Sequence, residues 1–310
     1  MVSNEYAIIY FADCNTFYEF IWRHDKNYIR VIFIITVCSS VAFTNCDSRH
    51  PWLTASFVKT WQFYVLTRSF IWIFFMEDKL EKLKEEVNTF AKKIVEIAKT
   101  DEKVRDLYKG AKIFFSPIVK NPKFMFLGIN PGISPAAKEN ELKCEVEPMK
   151  KMDYSTEDYR LANGWKYIFG EKDEMLNRMD LLENSFKTNF YYVTTKDMDS
   201  LYELLNLLKN KYNLTEESFF KPCEWTKTLI SIVNPEFILA EGFAVFKELK
   251  ERCYPDMMCE STPWGNNENY KIGYINNEGT SVEVIACRRR YSDIENASEI
   301  AEIIKSECLN

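Results

Sequence analysis

The 310-residue chain is poor in glycine, with 9, and holds only 10 prolines and 2 histidines. So little Gly and Pro excludes collagen-like repeats and most disordered compositions. The nine cysteines show no C-x-x-C spacing, which argues against a zinc or iron–sulfur site. Their odd, scattered distribution reads as reduced thiols in a cytoplasmic protein, with Cys253 and Cys259 two unrelated ones. Both histidines, His24 and His50, fall early, so the rest of the chain lacks a Ser-His-Asp or Cys-His arrangement. No P-loop and no G-x-G-x-x-G is present, so nothing supports a nucleotide cofactor, and no metal is expected. A net charge of −6 excludes a uniformly basic surface while leaving room for a local basic patch.

What is present divides near Met76. Residues 1–75 hold 19 of the 47 aromatics and no glycine, and show neither sustained helical periodicity nor strand alternation. The uncharged run from Val31 to Cys46 is shorter than the roughly 20 residues of a membrane-spanning helix. The run from Trp52 to Met76 is interrupted by Lys59 and Arg68. A membrane anchor over 31–76, a soluble extension and upstream sequence read through by a gene model are the three readings of this segment. The expectation carried forward is the last: a start at Met76 and a functional domain over 76–310, the extension lying outside its fold.

From Met76 onward, helical and strand patterns alternate. Leu80, Leu83, Val87, Phe90, Ile94 and Ile97 predict an amphipathic helix over 77–99. Strands are predicted at 124–130, 190–195 and 237–242, with a closing pair at 270–275 and 281–287. Helices are predicted at 173–185, 198–211, 215–232, 243–252 and 293–307, the last capped by Ser292 or Asp293. This order predicts an α/β fold: three α/β/α layers around a central, mostly parallel, four-stranded sheet.

Ligands of open α/β sheets bind at the carboxyl ends of the strands. Gly128-Ile129-Asn130-Pro131-Gly132 lies there, a polar side chain at a strand tip followed by a rigid turn without bulk. The segment resembles the first motif, G-I-N-P-G, of the mismatch-specific uracil/thymine-DNA glycosylase branch of the uracil-DNA glycosylase superfamily. Lys187–Asp197 is similar to the family's second-strand segment, and Pro235–Leu249 to its third strand, glycine turn and helix.

The resemblance implies a monomeric DNA N-glycosylase of base excision repair. Such an enzyme flips uracil or a related damaged base from DNA and hydrolyses its N-glycosidic bond without cofactor. The bond breaks through an oxocarbenium-like state, so a positioned water matters more than a strong base. Asn130 is the expected catalytic residue, orienting that water; backbone groups around Ile129, Pro131 and Gly132 are expected to bind the base or a phosphate. An aromatic after the first motif stacks on the flipped base in the family, and Tyr154, Tyr159 and Trp165 are the candidates. At the family's second motif, His-Pro-Ser or Asn-Pro-Ser, this chain has Cys287-Arg288-Arg289-Arg290-Tyr291-Ser292. The arginines are expected to grip phosphates, up to three contacts' worth, with Tyr291 as a wedge. The family's base-reading Asn position holds Thr194–Thr195 in this reading. Asp197 and Glu241 lie near strand ends as supporting groups. The alternatives are a non-catalytic nucleic-acid-binding member and a hydrolase of free nucleosides.

Overall fold

The computed structural model describes residues 6–13, 16–25, 28–36, 76–132, 142–170, 175–215, 219–259, 269–290 and 293–309. The chain divides into two compact units, residues 1–66 and 67–310, earlier than the composition break at Met76. In the first unit, β1 (Tyr6–Asp13), β2 (Thr16–Asp25) and β3 (Tyr28–Thr36) pair as an antiparallel three-stranded meander. The absence of strand alternation in the sequence is thereby corrected. These segments run through aromatic and β-branched residues, which favour strands without producing a period of two.

The second unit opens with α1, residues 76–98, whose Leu83, Val87, Phe90 and Ile94 are buried as the spacing predicts. Asp101 then caps α2 (Glu102–Leu107), accepting from the backbone of Lys103 and Val104. A parallel pair follows, β4 (Gly110–Lys112) with β6 (Lys143–Glu145). The central sheet has six strands, not the expected four. Its order is β7 (Phe186–Asn189), β5 (Phe124–Gly128), β8 (Phe237–Glu241), β11 (Thr280–Cys287), β10 (Tyr270–Asn277) and β9 (Met258–Cys259). The first four are parallel; β10 and β9 extend the sheet antiparallel. The architecture is α/β with a mostly parallel sheet.

Every residue of β5, β7 and β8 is buried, and alternate side chains enter two cores. Met125, Leu127, Ile238 and Val284 face α1, α6 (Met198–Tyr212), α7 (Pro222–Val233) and α8 (Phe243–Glu248). Phe124, Phe126, Leu239 and Ile285 face α4 (Arg160–Phe169), α5 (Met179–Glu183) and α9 (Ala297–Ile303). A one-turn helix, α3 (Asp153–Thr156), precedes α4. The π-helical turn Leu249–Cys253 continues α8.

Several boundaries differ from the predicted ones. The second strand is 186–189, not 190–195. Phe190, Tyr191, Tyr192 and Val193 are instead wholly buried, with Tyr191 stacked on Phe220 and Tyr192 on Trp225. The segment keeps backbone hydrogen bonds to Gly128, Ile129, Lys112 and Gly110 without forming a continuous strand, and packing adds to this pairing in accounting for its β-type composition. Pro222 occupies the first turn of α7, where a missing N–H costs nothing, so that helix begins seven residues later than expected. Helix α5 covers only Met179–Glu183 of the expected 173–185. Asp293–Ile294 pair with Arg289–Arg290 as a short ribbon, and α9 starts at Ala297 behind Asn296, not behind Asp293; Ser292 lies outside the described residues. Cys223 and Cys253 form a disulfide, which corrects the expectation of uniformly reduced thiols.

Candidate functional site

Parallel register aligns one residue from each strand at the carboxyl end of the sheet. Gly128 pairs with Asn189, Cys287 pairs with Glu241, and Leu127 pairs with Ala240, which sets Glu241 beside Gly128. Asn189, Gly128, Glu241 and Cys287 therefore form a row on one face of the sheet, above Lys187, Phe126, Leu239 and Ile285. Gly128 lets the row close: a Cβ there would lie 2.2 Å from Asn189 Oδ1 and 3.1 Å from Glu241 Oε2. Asn189 is 5% exposed, and its Oδ1 is the atom nearest to where a side chain at position 128 would begin.

Glu241, 4% exposed, collects three donors. Its Oε1 accepts from Tyr154 Oη and, at 2.9 Å, from Trp165 Nε1. Its Oε2 lies 3.7 Å from Arg289 Nη1. One layer deeper, Lys187 Nζ donates to Asp153 Oδ2 at 2.7 Å and to Tyr159 Oη at 2.9 Å, while Tyr159 Oη donates to the same Asp153 oxygen at 2.7 Å. The ammonium also sits 3.5 Å from the centre of the Tyr154 ring. Burial holds the Lys187 ammonium below the usual lysine range, against the pull of Asp153 and Glu241. Burial first, and Glu241 next, push the Tyr154 hydroxyl well above its ordinary value; burial and Asp153 do the same to Tyr159. The Cys287 thiol is raised by burial and by Glu241, which keeps it protonated at neutral pH.

Asn130 stands at the mouth of this row. Its Nδ2 donates to Thr195 Oγ1 at 2.9 Å and to Pro131 O at 3.2 Å. Thr195 Oγ1 in turn donates to Asp197 O at 2.7 Å, so it has to accept from Asn130, which fixes the orientation of the amide. The carbonyl Oδ1 of half-buried Asn130 is then the free end, without a hydrogen-bond partner among the described residues. Such an oxygen accepts a proton of a water and points the water's lone pair elsewhere.

The structure thus joins Asn130 to Thr195 and gathers Tyr154, Tyr159, Trp165, Glu241 and Arg289 on the other side of Gly128. Tyr154 and Trp165 are fully buried and bonded to Glu241, so both are core residues of the site wall. Ile129 and Pro131 are buried, while Gly132 is exposed and a Cβ there would meet nothing. Arg288 pairs with Glu295 at 3.2 Å and Arg289 with Glu241, so two of the three arginines face carboxylates of their own chain. Arg290 is placed by its backbone in the short ribbon, and Tyr291 lies outside the described residues. Asp197 caps α6, accepting from Ser200 N at 2.8 Å.

Sequence reasoning missed Asn189, Lys187 and Asp153. A signal existed: a lysine and an asparagine inside Phe186-Lys-Thr-Asn are out of place in a buried parallel strand. The richer aromatic run beside it drew the strand four residues too late. No protein-family model matches this chain, and no curated protein matches its sequence.

Proposed function

We propose that the 67–310 unit is a DNA glycosylase-like hydrolase of the uracil-DNA glycosylase type, acting on uracil or a related damaged base flipped from DNA. The observation that carries the reading is the orientation of Asn130 at the carboxyl edge of the sheet. With Nδ2 spent on Thr195, the free Oδ1 takes one hydrogen of a water and turns its lone pair toward the sugar carbon. The departing base carries away the glycosidic electron pair, and the water adds to the resulting cation, losing its proton afterwards to solvent. Asn130 need not act as a base.

Asn189 supports the same reading. Strand β7 ends at Asn189, and we read Asn189 as a base-reading candidate beside Thr194–Thr195. A side-chain amide offers both a donor and an acceptor, the pair that the N3–H and O4 edge of uracil needs. The layering of helices on both faces of the sheet fits the same superfamily. The test is a panel of oligonucleotides bearing uracil, hypoxanthine, xanthine or mismatched thymine, assayed for abasic sites. Cleavage of at least one is expected, and loss of about 100-fold or more in Asn130→Ala, the scale of a lost positioning group. Unaltered cleavage in that variant overturns the role of Asn130.

A second reading, a nucleic-acid-binding member without turnover, is favoured by one observation: Tyr154 and Trp165, two of the three stacking candidates, are tied to Glu241 within the core. Binding to uracil-containing or abasic DNA without cleavage of any substrate in the panel decides for it.

A further inference from the structure

Cys223 and Cys253 are unlike each other in every respect that governs thiol chemistry. Cys223 is half-buried and is the second residue of α7, a helix of 12 residues. Cys253 is 1% exposed, packed among the apolar residues of the same core as Leu249 and Met257. The open N–H groups of the first helical turn favour a thiolate at Cys223 once the bond is broken. Lys221 lies just ahead of it and pairs with Glu224 at 3.3 Å, so the acid of that turn is partly neutralised. A half-buried cysteine at a helix start bonded to a wholly buried one is an arrangement suited to exchange as well as to stapling.

We propose that Cys223–Cys253 is a redox-active pair and that Cys223 is the site at which a low-molecular-weight thiol forms a mixed disulfide. The incoming thiolate attacks Cys223 Sγ; the Cys223–Cys253 bond breaks, and its electron pair leaves on Cys253, which takes up a proton. A second thiolate attacks the small-molecule sulfur of the mixed disulfide and releases Cys223 as a thiolate. The protein disulfide has gained two electrons, and two small thiols have become one disulfide. In the reverse direction Cys223 attacks the small disulfide, and Cys253 resolves the adduct. Cys253 closes the π-helical turn Leu249–Cys253. Arg252 of that turn donates to Tyr191 Oη, two residues beyond Asn189, and to Glu248 Oε2 at 2.8 Å. The inference stands whether or not the unit cleaves DNA.

The experiment uses the full chain in buffers of graded glutathione to glutathione-disulfide ratio, quenched by alkylation and mapped by peptide mass. Cys223 and Cys253 are expected to convert together in one two-electron transition. In the reduced protein, Cys223 should alkylate about tenfold faster than Cys259, an exposed cysteine at no helix start and therefore the internal comparator. Cys253→Ser should accumulate glutathione on Cys223, whereas Cys223→Ser should accumulate none on Cys253. Three results overturn the proposal: a bond that survives the most reducing buffer, an adduct that maps to Cys253, or a Cys223 no faster than Cys259. The alkylation rates of the parent protein decide even if a variant fails to fold.

Discussion

Gly128 is held to glycine by two side chains, not by its backbone angles. A Cβ would meet Asn189 Oδ1 at 2.2 Å, so Gly128→Ala has to turn the amide aside or move β5. The expected cost is about 1–3 kcal/mol, the scale of overpacking in a filled core, read as a lower urea midpoint at unchanged slope. Adding Asn189→Ala removes the obstructing atom and should restore part of that loss. A double variant no more stable than the single one would place the cost in the backbone. Lys187 gives a pH-dependent test. A lysine whose folded pKa is depressed binds its proton less tightly than the unfolded chain does. Its contribution to stability therefore rises as pH climbs through the folded value and levels off above the unfolded one, about 10.4. Denaturation of the parent and of Lys187→Met from neutral pH upward should show the parent gaining on the variant. A flat difference would mean that Asp153 and Glu241 offset burial completely.

Elements show a different balance between chain-local signals and tertiary packing. The disulfide spans a sequence separation of 30, tying the start of α7 to the turn after α8. Cross-linking a loop of this length stabilises by about 2–4 kcal/mol, mainly through the unfolded chain. Cys223→Ser/Cys253→Ser should lower stability by that amount, and the parent under full reduction should fall to the same value. Helix α1 was legible because Leu83, Val87, Phe90 and Ile94 repeat at the spacing of one buried stripe. Strands β5, β8 and β10 were legible because their runs end at Gly, Pro or Asn, and β11 because its apolar run stops at three arginines. Helices α2 and α3 escaped notice because they are short, and of α4 only a helix start at Gly164-Trp165-Lys166-Tyr167 is legible, four residues past its first residue, Arg160. The disulfide escaped because 30 residues separate two cysteines that only the fold brings together. Within the site, Asn130 could be read from a strand tip, whereas Thr195 was read from a strand end that the structure sets at Asn189. Asn189 could not, since its placement depends on a strand that stops where buried aromatics begin. Glu241 was visible, but its three donors come from α3, α4 and the segment after β11, a convergence no spacing encodes.

Charge acts on the molecule as a whole. Residues 76–310 hold 34 basic and 41 acidic residues, a net −7, so DNA is repelled at long range and attraction has to be local. The densest basic run, Arg288–Arg290, looked from its sequence like up to three phosphate contacts. Two of these side chains face carboxylates of the same chain, Arg288 facing Glu295 and Arg289 facing Glu241. An arginine that exchanges a carboxylate for a phosphate leaves a negative group behind, so its net gain is smaller than that of a free cation. Replacing all three with Ala should therefore change the log–log salt slope of DNA binding by less than about 2, measured by anisotropy between 50 and 200 mM salt. Arg289→Ala alone should do something a phosphate contact would not: it leaves the buried Glu241 carboxylate with only neutral donors. That variant is expected to lose about 1–3 kcal/mol of stability even without DNA. A slope change of 3 with stability intact would mean that both ion pairs open on binding and that the triplet belongs to the DNA surface.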